Sequence, residues 1–205
     1  MTPKNLIFDL GGVLMMHDMR GCIDAFHALL GVESTSHVLG LLPNGEGAKD
    51  SLMDQFEHGY VSTEEFVHTL LLHAQPGTTH QDIVDVWNTM HAGIPSRLLD
   101  AVRHLGQAGH HLLVLSNNNE LHVENILTHY DMSCFDRMFF SNQVHICKPE
   151  PQLFYEVQNY LNNRGWGDLE TWFIDDIEAN RLAAQSLHWH TVSNVDALIE
   201  ALFHA

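Results

Sequence analysis

The sequence contains few cysteines and no long apolar run, and these shortages exclude several classes of protein. Its 205 residues include three cysteines, Cys22, Cys134 and Cys147, without the C-x-x-C spacing of a zinc or redox site. An odd number of separated cysteines is typical of a reduced chain, so we expect a cytoplasmic location. No window approaches the roughly 18 apolar residues of a membrane helix, and no basic start with an apolar run marks a signal peptide. We therefore expect neither a membrane span nor export.

Basic residues are also scarce. Nine lysines and arginines stand against 26 aspartates and glutamates, which gives a formal net charge of −17 at pH 7. Such a charge repels nucleic acid phosphates and anionic membranes, so we expect neither as a partner. It would also repel an anionic small molecule, and any site for one needs a local cation. The 17 histidines include no H-E-x-x-H motif, and we interpret them as mainly solvated surface residues.

The sequence does contain the alternating pattern of an α/β fold. A hydrophobic content of 45% with 14 glycines and 6 prolines indicates a globular core. Short apolar runs that end in polar residues predict strands at residues 6–8, 111–115 and 171–174, with weaker strands near 137–141 and 189–192. Apolar residues at helical spacing predict helices over residues 97–107, 121–130, 152–162, 178–187 and 195–203. This order predicts an open parallel sheet whose carboxyl edge forms a site.

Residues 16–93 do not fit this alternation, because they contain helical patterns and no convincing strand. We therefore divide the chain into an α/β core of residues 1–15 and 94–205 and a helical insertion of residues 16–93. An insertion directly after the first strand would lie over the carboxyl edge of the sheet and act as a lid. The alternative, in which these helices only extend the core, stays open.

Two helices of the insertion have clear end signals. Ser62 and Glu65 match a capping box, which opens a helix over residues 64–74. Gly59 is a typical stop for a preceding helix over residues 51–58. These signals predict two consecutive helices inside the insertion, with a boundary between them at Gly59.

Carboxylates follow two of the predicted strands. Asp9 comes directly after the first strand and shortly before Gly11 and Gly12, where backbone N–H groups can face a ligand. That position suits a nucleophile, although an Asp before two glycines is also common in an ordinary turn. Asp175 and Asp176 follow the third long strand, so a parallel sheet would bring three carboxylates to one edge, where they repel one another unless protonated or neutralised by a cation. Such oxygen ligands favour Mg²⁺, and the alternative is an Asp pair that caps the next helix.

Three further residues suggest an anion site at the same edge. Ser116 and Asn117 follow the second long strand and precede a helix, whose N-terminal N–H groups would attract an oxyanion. Their alternative role is to cap that helix. Lys148 is an isolated cation between a predicted strand and a predicted helix, and this position favours anion binding over the solvated role of an ordinary lysine.

Four segments in this order resemble the signature motifs of the haloacid dehalogenase superfamily. They are residues 6–13 (LIFDLGGV), 113–117 (LVLSN), 148–149 (KP) and 173–176 (FIDD), and the resemblance spans essentially the whole chain. It implies a Rossmann-like core of three layers with an inserted all-helical cap of the superfamily's type one. The motif variants look most like those of its bacterial sugar-phosphate phosphatases, which implies a small phosphorylated metabolite as substrate.

The resemblance also implies a role for each motif residue. Asp9 would be the nucleophile that takes the phosphoryl group, and it would bind Mg²⁺ with one oxygen. Asp176 would be a direct metal ligand, Asp175 would hold a metal-bound water, and Gly11 would bind the metal through its main-chain carbonyl. Ser116 and Asn117 would bind phosphate oxygens. Lys148 would neutralise the phosphate and orient the nucleophile, and Asn180 would support the metal site.

One position departs from the family pattern. The superfamily's phosphatases normally have a second Asp two residues after the nucleophile, which protonates the leaving oxygen and later activates water, but this sequence has Gly11. General acid and base catalysis typically contributes about 10² to 10⁴ in rate, so its loss would weaken the enzyme without abolishing activity. We favour Asp18 as the replacement catalytic residue, with His17, interpreted as an exposed residue, or a group from the cap as alternatives.

The sequence therefore favours a Mg²⁺-dependent phosphatase that forms an aspartyl phosphate on Asp9. One alternative is a weak or inactive phosphate-binding regulatory protein, which Gly11 supports. A second alternative is a haloacid dehalogenase, in which a carboxylate attacks carbon without a metal, and the pair of Asp175 and Asp176 argues against it. The sequence does not indicate an oligomeric state.

Overall fold

The computed structural model describes residues 2–40 and 48–204 of the chain. Within these residues the strands are β1 (Asn5–Phe8), β2 (Met16–His17), β3 (His91–Gly93), β4 (His111–Ser116), β5 (Arg137–Phe140), β6 (Thr171–Ile174) and β7 (His190–Val192). The helices are α1 (Met19–Leu30), α2 (Val32–Leu39), α3 (Leu52–Glu57), α4 (Thr63–Leu71), α5 (His80–Asn88), α6 (Ser96–Gln107), α7 (Glu120–His129), α8 (Ser141–Val144), α9 (Pro151–Asn163), α10 (Glu178–Gln185) and α11 (Val195–His204). None of these helices has the length and apolar character needed to cross a membrane.

The main sheet has five parallel strands in the order β5-β4-β1-β6-β7. The central strand is β1, whose apolar residues are completely buried, and its Ile7 pairs with Leu113 of β4 and with Phe173 of β6. Because β4 and β6 flank β1, the polar residues that follow these three strands meet at one edge of the sheet. The predicted α/β class with a parallel sheet is confirmed.

Helices cover both faces of this sheet. On one face, α6, α7 and α11 bury apolar side chains, among them Leu98, Val123 and Leu198, in one hydrophobic cluster. On the other face, α9 and α10 do the same through residues such as Phe154 and Ala184. Burial of apolar surface stabilises a fold by about 25 cal/mol per Å². The core is therefore a three-layer Rossmann-like domain.

The residues between β2 and β3 form a helical unit with its own hydrophobic cluster. Helices α1 to α5 bury the aromatic rings of Phe26, Phe56, Phe66 and Trp87, and the Phe66 and Trp87 ring centroids are 4.7 Å apart. The chain enters and leaves this unit through β2 and β3, which pair antiparallel. The prediction that residues 16–93 contain no strand is wrong at both ends. Strands of two and three residues are too short to show an alternating pattern in the sequence.

The two helices predicted on either side of Gly59 are present as α3 and α4. The Glu65 N–H donates to Ser62 Oγ at 3.3 Å, and the Ser62 N–H donates to the Glu65 carboxylate at 2.9 Å, which is the predicted capping box. Gly59 follows the end of α3 with a φ of +68°, a left-handed conformation that favours glycine. The capping box fixes the start of α4, and five residues separate α3 from α4.

Candidate active site

Asp9 lies where β1 ends, at the floor of a cavity between the sheet and the helical unit. Its N–H donates to the Ile174 carbonyl at 2.8 Å, so the sheet pairing extends to this residue. Its Oδ1 accepts from the Leu10 N–H at 2.7 Å and lies 2.9 Å from Nζ of Lys148. Burial raises the pKa of Asp9 to about 6, with Lys148 opposing the rise and Asp175 adding to it. The carboxylate is thus buried and held in one orientation.

Lys148 supplies the local cation that an anion site in this acidic chain requires. Its Nζ lies 2.9 Å from Asp9 Oδ1 and 2.7 Å from Asp175 Oδ2, and the Lys148 side chain is only 1% exposed. Burial alone would lower the pKa of this ammonium group, but the two carboxylates outweigh burial and raise that pKa above its ordinary value. Lys148 is therefore charged at neutral pH and joins the ends of β1 and β6.

Asp175 and Asp176 are neighbours in sequence with different surroundings. Asp175 is completely buried, and its carboxylate accepts from the Ile177 N–H at 2.9 Å and from Asn180 Nδ2 at 3.1 Å. Asp176 is exposed and lines the cavity. Helix α10 has Ile177 as its N-cap residue and no side-chain cap bond, so the alternative in which the Asp pair caps this helix does not hold.

The three carboxylates form a cluster of oxygen atoms at one end of the cavity. Ligand oxygens of Asp9, Asp175 and Asp176 all lie within 4.8 Å of one another. Gly12 makes room for this approach, because a Cβ at that position would lie 2.6 Å from Cγ of Asp176. With Lys148 as the cation in contact, the ionised cluster keeps an excess of negative charge. Hard oxygen donors with excess negative charge fit a cation such as Mg²⁺.

Ser116 is the last residue of β4 and Asn117 follows it, next to the end of β1. Both residues line the cavity. The Ser116 hydroxyl is close enough to Asp9 to favour its ionised form. The side-chain amide of Asn117 accepts from the Lys148 N–H at 2.7 Å and donates to the Lys148 carbonyl at 3.0 Å. The N-cap of α7 is Asn119, so neither predicted residue caps that helix. Asn117 therefore positions Lys148 with its side chain.

Gly11 occupies the position at which the family pattern has a second Asp, and His17 and Asp18 are the candidate replacements. The His17 ring lies against Gly11, and a Cβ at position 11 would lie 2.6 Å from His17 Nε2. Burial lowers the pKa of His17, so its imidazole is mainly neutral at neutral pH. Asp18 caps α1 by accepting from the Gly21 N–H at 2.8 Å, and it is not among the described residues that line the cavity. This placement gives no support to the catalytic role predicted for Asp18.

The cavity has a volume of about 600 Å³ and is lined from both units. Besides the residues at the sheet edge, its walls include Met19, Met53, Asp54, Glu57, Met90, His91 and His122. Among the described residues that line it, Lys148 is the only lysine or arginine. A bound molecule therefore meets one fixed cation at the floor, with carboxyl groups, imidazoles and thioethers around it.

Glu57 is a cavity residue that sequence reasoning missed. Burial raises the pKa of its carboxyl group to about 7, Asp54 adds to this rise, and His58 and Lys148 oppose it. A glutamate at the end of a short amphipathic helix normally faces water, so nothing in the sequence distinguished it from Glu64 or Glu65. Only the packing of α3 against the core turns Glu57 towards the cavity.

Replacing Glu57 with Gln should stabilise the protein at alkaline pH but not at acidic pH. The folded pKa of about 7 exceeds the ordinary value of 4.5, so wild-type stability falls as the pH rises through this interval, and Gln removes the charge responsible. We expect a gain of about 1 to 2 kcal/mol near pH 8, because the open cavity screens part of the effect, and no gain near pH 4. Denaturant unfolding at both pH values measures it, with Glu64→Gln as an exposed control. Equal gains at both pH values would contradict the prediction.

Comparisons with known proteins agree with this geometry. A family model described as haloacid dehalogenase-like hydrolase matches residues 3–188. A HAD family enzyme from Bacteroides thetaiotaomicron, solved in complex with magnesium and inorganic phosphate, is 26% identical over 93% of each chain with a TM-score of 0.75. A HAD-like family hydrolase from Porphyromonas gingivalis is 26% identical over 99% of each chain with a TM-score of 0.80.

A more distant structure shares the fold alone. An L-2-haloacid dehalogenase is 15% identical, covers 93% of this chain and 86% of its own, and has a TM-score of 0.60. The superfamily indicated by the four sequence motifs is confirmed by a match over most of the chain. The protein belongs to the haloacid dehalogenase-like hydrolases.

Proposed function

We propose that this protein is a Mg²⁺-dependent phosphatase that hydrolyses a small phosphorylated metabolite, such as a sugar phosphate, through an aspartyl phosphate on Asp9. The observation behind this proposal is the buried contact of Asp9 with Lys148, beside the carboxylates of Asp175 and Asp176. Catalysis of phosphoryl transfer consists largely of positioning and charge neutralisation, which such a site can provide. The relative from Bacteroides thetaiotaomicron, solved with magnesium and inorganic phosphate, supports it.

The residues at the sheet edge fit a magnesium ion. Asp9, Asp176 and the main-chain carbonyl of Gly11 would hold it, and Asp175, whose carboxylate is already bonded to Lys148, would hold a water of its shell. Bound Mg²⁺ would neutralise phosphate oxygens and polarise the phosphoryl group. The excess negative charge of the carboxylates favours a bound cation, whose charge together with that of Lys148 would allow a phosphate group to enter.

The side chains at the sheet edge would supply the nucleophile and the contacts to the phosphate group. The Asp9 carboxylate attacks phosphorus and is regenerated when water hydrolyses the aspartyl phosphate. Lys148 keeps Asp9 oriented and places a positive charge next to the phosphate. The Ser116 hydroxyl donates to a phosphate oxygen, and Asn117 contributes its main-chain N–H, because its side-chain amide already holds Lys148.

The helical unit would select the part of the substrate that leaves. We assign residues 1–15 and 94–205 to the catalytic core and residues 16–93 to a cap of type one, whose α3 lines the cavity. Asp54 lies on the cap side and Lys148 already contacts two carboxylates, so a second anionic group on the substrate would be repelled. A phosphorylated molecule rich in hydroxyl groups, as in a sugar phosphate, fits better than a nucleotide.

Dehalogenation is the less suitable chemistry for this site. Attack of a carboxylate on carbon expels a halide and needs no metal, so a cluster formed by Asp9, Asp175 and Asp176 would have no task in it. The dehalogenase that shares the fold is too distant to transfer its activity.

Phosphate release tests the proposed function. The wild-type protein is incubated with sugar phosphates, nucleotides and an activated aryl phosphate, in Mg²⁺ and in chelator. We expect release that chelator abolishes, with sugar phosphates preferred to nucleotides. If no compound releases phosphate although calorimetry shows binding of Mg²⁺ and phosphate, the phosphate-binding alternative replaces the enzyme. Release that persists in chelator would instead remove Mg²⁺ from the proposal.

Asp176→Ala should abolish Mg²⁺ binding and turnover together. The change removes an exposed carboxylate that lines the cavity and makes no side-chain bond that the fold depends on within the described residues. We expect Mg²⁺ affinity to fall by at least about 100-fold, measured by calorimetry, while the unfolding midpoint changes little. Asp168→Ala, an exposed carboxylate before the start of β6, is the matched control. Unchanged Mg²⁺ affinity in Asp176→Ala would remove Asp176 from the metal site.

A further inference from the structure

Cleavage of an alkyl phosphate needs a proton on the leaving oxygen, and the loop after Asp9 offers no obvious donor. Gly11 has no side chain, the His17 ring is stacked on the His91 ring, and Asp18 caps α1. Of the two acids on the cap side of the cavity, Asp54 accepts from the Asp50 N–H at 2.8 Å, which leaves Glu57. The Glu57 carboxyl group lines the same cavity as Asp9, and no hydrogen bond to it occurs within residues 2–40 and 48–204.

We propose that Glu57, at the end of α3, is the catalytic acid and base of the reaction, an inference that rests on the proposed phosphatase function. The cap would then supply the proton that position 11 cannot supply. This assignment gives the helical unit a chemical task besides the selection of substrate.

The first support is the attachment of Glu57 to the loop that follows β4. The Ser141 hydroxyl donates to the Glu57 carbonyl at 2.6 Å and accepts from the Asn118 N–H at 2.9 Å. Asn118 lies two residues after Ser116, so one buried hydroxyl connects the end of α3 to the proposed phosphate site. A proton donor must be held within hydrogen-bond reach of its acceptor, and this bridge fixes the main chain from which Glu57 projects.

The residues after Glu57 dock the same segment onto the core. His58 Nε2 lies 3.3 Å from Glu150 Oε1, and the His58 carbonyl accepts from His145 Nδ1 at 2.8 Å. At Gly59 the two units approach so closely that a Cβ would lie 3.1 Å from Cα of Asn142 and closer still to its carbonyl. A cap that only covered the substrate would not need such contacts at this one point. They hold Glu57 over the sheet edge.

The surroundings of the carboxyl group suit repeated proton transfer. Burial is the main cause that raises the pKa of Glu57 to about 7, Asp54 and Asp9 add to this rise, and His58 and Lys148 oppose it. A group with a pKa near the working pH is effective both as an acid and as a base. The influence of Lys148 and Asp9 also shows that the carboxyl group is within electrostatic range of the nucleophile.

The proposed steps conserve atoms and charge. Asp9 forms a bond to phosphorus while the bond from phosphorus to the leaving oxygen breaks, and that oxygen keeps the electron pair and takes the proton of Glu57. The Glu57 carboxylate then takes a proton from water, whose oxygen bonds to phosphorus as the bond to Asp9 breaks. Phosphate leaves, Asp9 is again a carboxylate and Glu57 is again protonated.

The decisive variant is Glu57→Gln, tested with leaving groups of different need for a proton. For an alkyl phosphate we expect kcat to fall by about 10² to 10⁴. For an activated aryl phosphate, whose phenolate leaves unprotonated, we expect a first turnover at the wild-type rate followed by slow turnover, because only the attack of water still needs Glu57. Rapid mixing with detection of the phenolate measures both phases. Glu57→Asp should recover part of the alkyl phosphatase activity.

Two controls separate this role from others. Glu64→Gln changes an exposed carboxylate of the same helical unit that is not among the described residues lining the cavity, and we expect less than about a threefold change in kcat. His17→Ala should likewise preserve the alkyl to aryl ratio. Three results would overturn the inference. Glu57→Gln could slow both aryl phosphate phases equally, or it could change KM alone. The third is an alkyl to aryl activity ratio that His17→Ala alters and Glu57→Gln does not. If wild-type protein hydrolyses no aryl phosphate in Mg²⁺, the proposed function itself fails.

Discussion

Asp9→Asn is expected to abolish phosphatase activity and to leave the fold intact. Asn is nearly isosteric, and its carbonyl can still accept from the Leu10 N–H and from Lys148, but it cannot form the aspartyl phosphate. Loss of a nucleophile in a hydrolase costs about 10⁴ to 10⁶ in kcat. The change also removes the repulsion between Asp9 and Asp175, so we expect an unfolding free energy within about 1 kcal/mol of wild type. Chelator-sensitive phosphate release and denaturant unfolding are the two measurements.

Asp18→Asn is the matched control for that variant. It makes the same chemical change nine residues later, at a residue that the structure places at the N-cap of α1, where Asn caps about as well as Asp. We expect activity and stability close to wild type. A large loss in Asp18→Asn would restore the catalytic role that the sequence indicated for this residue. Retention of about a tenth or more of the turnover in Asp9→Asn would assign the nucleophile elsewhere.

The core of the fold could be predicted because its signals are local. Strands such as β1 and β6 are continuous apolar runs, which is the pattern of parallel strands buried on both faces. In each strand the polar residue follows the apolar run directly, as Asp9 follows β1 and Asp175 follows β6. Because the strands are parallel, these residues meet at the same edge of the sheet. The strands β2 and β3 have no such pattern, because two or three residues that cross between units bury too little apolar surface to leave one.

The site was predictable where it lies at strand ends and not where it depends on packing between units. The position of Glu57 follows from the contact of α3 with Ser141, which is 84 residues away in the chain and shows no pattern in either segment. The hydrogen bond from the Asn117 side chain to the Lys148 carbonyl likewise joins segments that are distant in the sequence, and no local pattern predicts it. Asp18 shows the opposite error, since an Asp that begins a helix has the same sequence signature as an acid that faces a substrate.

Lys148→Met is expected to destabilise the protein strongly, and more so as the pH rises. Met fills a similar volume but leaves the buried carboxylates of Asp9 and Asp175 without their cation. Breaking a buried ion pair by removing one partner costs about 3 to 5 kcal/mol. Burial already raises the pKa of Asp9 to about 6, and the variant removes the opposing effect of Lys148, so the deficit is largest near neutral pH and fades as the pH falls below about 4, the ordinary pKa of Asp. Denaturant unfolding across this pH range in chelator measures it.

Lys4→Met gives the comparison that interprets this result. Lys4 forms an ion pair with Glu170 at the surface of the same sheet, at the opposite ends of β1 and β6, and such pairs contribute about 1 kcal/mol or less. The two variants therefore remove the same charge from the two ends of the same strands. If Lys148→Met costs no more than Lys4→Met, or if its deficit does not depend on pH, then Asp9 and Asp175 are not both ionised next to Lys148. In that case Lys148, Asp9 and Asp175 would not form the charged cluster on which the phosphatase proposal rests.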